Sequence, residues 1–116
     1  MGKQEEKTSS TYSLRISENA YQNIDDIAEF IAFINHQPQN AIMVVDGIFD
    51  TIDLIQLNPF VYKECAELKT ITKIYRQVLY KSWLIIFKIK GIEIVILGVI
   101  YGGRHSKKIK PLKKIK

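Results

Sequence analysis

Guanidinium, imidazole and ammonium groups held near phosphate can bind it and move protons during phosphodiester cleavage, and the second half of this chain supplies all three. Arg76, Arg104 and His105 are the candidates for catalysis. A guanidinium fork grips phosphate oxygens bidentately and stabilises the charge that builds as the ester breaks, while an imidazole titrating near neutrality carries the proton. Lys73, Lys81, Lys107, Lys108 and Lys110 are the candidates for holding a nucleic-acid backbone, with Tyr75 and Tyr80 nearby in sequence as stacking surfaces. Each has a plainer role open to it: Arg76 as an edge-strand surface residue, the tyrosines as sheet packing, His105 as a solvated loop residue.

Other site chemistries find no footing. Gly102-Gly103 is a bare pair without the spacing of a phosphate-binding loop, and no nucleophile elbow is present. His36, Cys65 and His105 fall on three different elements, so neither a metal nor a cofactor is expected. Asp25 and Asp26 are adjacent helix positions that point in different directions, which suits a solvated face better than an acid–base pair.

The elements that must position these groups follow from periodicity. With 116 residues there is room for one domain and one core. Residues 1–11 are polar and read as a flexible leader. Tyr12 to Ile16 alternates apolar and polar residues, as a half-buried strand does. Ser17 suits an N-cap, and Ala20, Ile24, Ile27, Ile31 and Ile34 then form one apolar helical stripe, with Asp25, Asp26 and Glu29 on the outer face. Pro38 can open a second helix whose stripe is Ala41, Val45, Ile48, Ile52 and Ile55, and Asn58-Pro59 stops it. The short connection makes the two helices an antiparallel hairpin.

After a loop over residues 59–68, three strands are predicted over Thr70–Leu79, Trp83–Lys90 and Ile92–Tyr101, with Lys90-Gly91 as a tight turn. The last two runs are apolar on both alternating faces, so both faces should be covered at least in part. The expected fold is α+β: a mostly antiparallel sheet in the order β-α-α-β-β-β, with the N-terminal helical hairpin on one face.

Charge is unevenly placed. The chain has 17 Lys+Arg against 12 Asp+Glu, and from Arg104 onward there are seven cations and no acid, so the remainder has 10 cations against 12 acids. Residues 12–106 read as one domain and 107–116 as a basic C-terminal tail, either a contact for a polyanion or a solubilising end. The lone Cys65 fits a reducing cytoplasm. No apolar run is long enough to cross a membrane, and Met1–Glu6 has neither a signal-peptide h-region nor the hydroxyl residue that myristoylation requires.

Leu57-Asn58-Pro59, Tyr75-Arg76-Gln77-Val78, Trp83-Leu84-Ile85-Ile86-Phe87 and Ile94–Arg104, taken with the element order, resemble the RelE/ParE family of bacterial toxins over roughly residues 12–106. The resemblance implies a type II toxin neutralised by a small antitoxin that lays a helix or strand across its surface. RelE-like members cut messenger RNA in the ribosome with basic residues on an open sheet face and a tyrosine or histidine near the C-terminus. ParE-like members poison DNA gyrase without nuclease chemistry. By position, Arg76 matches the basic residue of the first meander strand, and Arg104 the arginine after the last. Two places depart from the pattern. Trp83-Leu84 stands where many members have Tyr-Arg, and only lysines, near Lys110, stand where the nucleases place their terminal tyrosine. Ribosome-dependent mRNA cleavage, a possible endoribonuclease (mRNA interferase) activity, is the function expected from the Arg104-His105 pair and the polycationic end. Gyrase inhibition and a catalytically inactive basic module binding RNA or protein remain the alternatives.

Overall fold

A computed structural model describes residues 11–102 and 106–116. The elements run β1 (Ser13–Ile16), α1 (Glu18–Glu29), α2 (Pro38–Leu57), β2 (Tyr75–Tyr80), β3 (Trp83–Lys90), β4 (Glu93–Tyr101) and a short α3 (Ser106–Ile109). The sheet has the order β1-β4-β3-β2. β2, β3 and β4 form an antiparallel meander, and β1 joins β4 in parallel, with Ser13 opposite Glu93 and Ile16 opposite Ile96. The α+β reading with a mostly antiparallel sheet and a helical hairpin on one face therefore holds.

Ser17 starts α1 as its spacing predicts. Its Oγ accepts from the Ala20 N–H at 3.0 Å and donates to the Leu97 carbonyl at 3.1 Å, so one side chain caps the helix and ties it to β4. β1 stops opposite Ile96, leaving the next stretch of β4 without a strand beside it. Asn19 and Asn23 of α1 take over there: Asn19 Nδ2 donates to Leu97 O at 3.0 Å, and Asn23 Oδ1 accepts from the Val99 N–H at 3.0 Å. A bulge lies at this point, since Ile86 pairs with Gly98 but Phe87 pairs with Ile96.

Ala20, Ile24, Ile27 and Ile31 are buried as one stripe. Ile34 is not: residues Phe30–Ile34 form a π-helical turn, whose extra residue rotates Ile34 off the stripe and leaves it 66% exposed. In α2 the buried positions are Ala41, Val44, Ile48, Ile52 and Ile55, so Val44 rather than Val45 carries the second contact. β2 begins at Tyr75 instead of Thr70, because Thr70 to Lys73 closes into a turn with Lys73 at φ +55°. The Lys90-Gly91 turn is confirmed, with Gly91 at φ +62°.

The sheet has a core on each face. Ile85, Phe87, Ile89, Ile94 and Ile96 point towards the hairpin. Leu84, Ile86, Val95, Leu97 and Ile100 point the other way and meet Cys65, Leu68, Ile109 and Leu112. The segment read from its lysines as a basic tail is thus a third layer: Ile109 is fully buried, Leu112 is 4% exposed, and the side chains between them face water. The spacing Ile109, Leu112, Ile115 is an apolar three-residue repeat that the surrounding lysines hide in any average over the segment.

Candidate functional site

Arg76 sits at the start of β2, where it is drawn into the loop after α2. Its Nε donates to Lys73 O at 2.9 Å, and its Nη1 donates to Tyr62 O at 2.8 Å and Phe60 O at 3.2 Å. The guanidinium also lies 5.1 Å from the centre of the Phe60 ring. Next to it, the Cys65 N–H donates to Tyr75 O and the Gln77 N–H to Lys63 O, so this loop covers the outer edge of β2. Arg76 organises that loop with two of its three nitrogens. An Arg76→Ala variant should lose about 1 to 3 kcal/mol in urea unfolding, because three carbonyls lose their donor. Any loss of biological effect in that variant has to be compared with its folded fraction.

Arg76 pairs with Phe87 and Phe87 with Ile96, whereas Tyr80 pairs with Trp83 and Trp83 with Tyr101. Four residues of strand, about 13 Å, separate these two levels of the sheet. Arg104 and His105, which follow Tyr101 in the chain, lie outside the described residues. The lysine candidates are dispersed as well. Lys73 is in the turn before β2 and Lys81 in the β2–β3 turn, both at positive φ. Lys107, Lys108 and Lys110 are exposed on the third layer.

At the Tyr101 end a cleft of about 940 Å³ opens between the hairpin and the β2–β3 turn. Phe30, Trp83 and Tyr101 give it aromatic walls, with Trp83 edge-on to Tyr101 at 5.7 Å. Asp26, Asn40 and Lys81 supply its polar groups. Nothing in the residue types alone marks Asp26 and Asn40 as neighbours of Lys81. They share the cleft because it opens between the helical hairpin and the β2–β3 turn. A second, shallower groove of about 430 Å³ runs between α1 and α2 on the outer side of the hairpin. Ala28, Ala32 and Ala41 line it together with the exposed Phe33 and Ile42, and Glu29 and Asp46 flank it.

Two buried groups titrate away from their ordinary values. Burial pushes the Cys65 thiol up, and with no exposed surface it stays a protonated packing group. Burial also pushes the Lys88 ammonium down, with Lys90 and Arg15 adding repulsion. Lys88 Nζ donates to the Ile115 carbonyl at 3.2 Å, which ties β3 to the third layer. The folded chain therefore releases this proton at a lower pH than the unfolded chain. Between those two values the unfolded state binds more protons, so stability rises with pH across that window, and below it the cost is constant. Lys88→Met should remove the cost at neutral pH and flatten the alkaline rise, as read from urea midpoints of both proteins across pH.

Among the described residues no group of three or more His, Cys, Asp or Glu side chains is placed to hold a metal ion, and no helix is long and apolar enough to cross a membrane. No curated protein matches the chain. Among solved structures, the chromosomal ParDE toxin–antitoxin system from P. aeruginosa has a chain that matches with a TM-score of 0.64 at 21% identity, covering 80% of this chain and 98% of that one. This likeness concerns the fold. The family model for the ParE toxin of the type II toxin–antitoxin system parDE matches residues 14–105. That span runs from β1 past the end of β4, and the chain belongs to the ParE toxin family.

Proposed function

We propose that this toxin arrests growth by binding a protein target of the gyrase type, without cutting RNA, and that an antitoxin silences it. The observation that carries this reading is the filled second face of the sheet. Ile109 and Leu112 close over Leu84, Ile86 and Val95, so this face of the sheet is a packed core and not the open basic face that the resemblance to RNA-cutting members implies. Leu84, 8% exposed, stands in that core where many members have an arginine. Arg76 is committed to loop carbonyls. The antitoxin is assigned to the groove between α1 and α2, whose small floor and exposed Phe33 and Ile42 suit an amphipathic helix.

Ribosome-dependent mRNA cleavage is the second reading, favoured by the Arg104-His105 pair beside a lysine-rich segment. One experiment separates them. The chain is expressed without its antitoxin, transcript 5′ ends are mapped, and DNA breaks and the SOS response are followed in the same culture. Intact messages with double-strand breaks are expected. New 5′ ends at ribosome-spaced sites without DNA damage would assign the nuclease instead, and Arg104→Ala and His105→Ala should then abolish them.

A further inference from the structure

The charge of this protein is sorted by fold more sharply than its net value suggests. Residues 16–62 contain seven acids and no lysine or arginine, and all seven acids, Glu18 to Asp53, are exposed. Residues 63–116 contain fourteen cations and three acids. The first set forms the hairpin on one face of the sheet, and six lysines of the second set lie on the layer covering the other face. The protein is electrically two-sided, and its sides are the two outer layers.

The basic layer is held in place. Ile109 and Leu112 are buried in the sheet's second core. Gly98 makes room for Leu112, since a Cβ there would stand 3.1 Å from its methyl. Lys88 holds the Ile115 carbonyl, and an Arg15 guanidinium nitrogen donates to the Lys116 main-chain oxygen. With the apolar residues fixed inward, Lys107, Lys108, Lys110, Lys113 and Lys114 are all exposed. Of the three acids, Glu93 is paired with Arg15 and Glu64 accepts from the Thr70 N–H, so both are occupied locally. A fixed cluster of ammonium groups loses less entropy on binding a polyanion than a loose tail would.

The residue types select among polyanions. Lysines act as point charges that suit a phosphodiester backbone. From Lys107 to Lys116 there is no aromatic residue, so this layer lacks the stacking platform that single-stranded nucleic acid requires. We infer that residues 107–116 form a fixed cationic face that binds the phosphate backbone of duplex DNA without reading sequence, with the acidic hairpin turned away.

The test is direct binding by the full chain, and its outcome does not depend on which cellular target is correct. A labelled duplex of about 20 base pairs is titrated by fluorescence anisotropy between about 50 and 200 mM salt. Four to five phosphate contacts predict a log–log salt slope of about −4 and an affinity loss of roughly 200-fold across that range. The triple variant Lys107→Gln, Lys108→Gln, Lys110→Gln should reduce the slope by about 3 at an unchanged urea midpoint, because these side chains are exposed. Asp46→Asn with Asp50→Asn on the hairpin should leave the slope unchanged. No duplex binding at the lowest salt, an unaltered slope in the lysine variant, or tighter binding of a single-stranded RNA with the same number of phosphates would each overturn the proposal.

Discussion

Leu112→Asp is expected to cost 4 kcal/mol or more, enough to detach the C-terminal layer or unfold the chain. Two terms add. Losing the buried leucine costs about 3 kcal/mol, and placing a carboxylate against Leu84, Ile86 and Gly98 adds a desolvation penalty of a few kcal/mol. A domain of this size has a total stability of about 5 to 15 kcal/mol, so the variant would sit near the edge of folding. Leu112→Ala, at about 2 to 4 kcal/mol, keeps the measurement within range of urea unfolding. Amide exchange at Ile109 and Leu112 and the rate of tryptic cleavage after Lys107 and Lys108 should rise in parallel. Were the segment a loose, solvated tail, both substitutions would leave stability unchanged.

Gly47→Ala is the second large effect, and its sign runs against helix propensity. Alanine in the middle of a helix normally gains about 1 kcal/mol over glycine. Here the added Cβ would fall 1.8 Å from the hydroxyl oxygen and 2.1 Å from the Cζ of Tyr80. Gly47 therefore leaves open the seat that the Tyr80 ring occupies as β2 crosses α2. Displacing that half-buried ring loses packing against the hairpin core, and a net loss of about 2 kcal/mol in the urea midpoint is expected. The double variant Gly47→Ala, Tyr80→Leu should recover most of it. A stabilised single variant would show that Tyr80 can leave its seat freely.

Burial and local hydrogen bonding explain why some features were legible and others were not. Ser17 as a cap, the stripe from Ala20 to Ile31, and the stop at Asn58-Pro59 are local effects, set by a few neighbouring residues, and they appear in the structure where the spacing puts them. Ile34 is exposed instead of buried, and Val44 is buried in place of its neighbour Val45, because a π-helical turn and a small shift in helix phase depend on what the helices pack against. Thr70–Lys73 looks like strand by composition, yet it closes into a turn through the Lys73 N–H and Thr70 carbonyl, and the Lys73 carbonyl then accepts from Arg76. Arg76 illustrates the limit for site residues. Its type and position suggested phosphate chemistry, while its partners are carbonyls at least ten residues away in the loop as well as the nearby Lys73.

The order of the elements, the hairpin, the apolar character of β3 and β4 and the concentrated positive charge are legible in residue type and spacing alone. Tertiary structure decided which groups meet. It separated Arg76 from the Tyr101 end by the strand register, and it brought Asp26, Asn40 and Lys81 to one cleft. It also turned the lysine-rich end from a tail into a layer. Leu84 and Ile86 need apolar cover on the second face of the sheet, and Ile109 and Leu112 are the side chains that supply it, which leaves the lysines between them facing water.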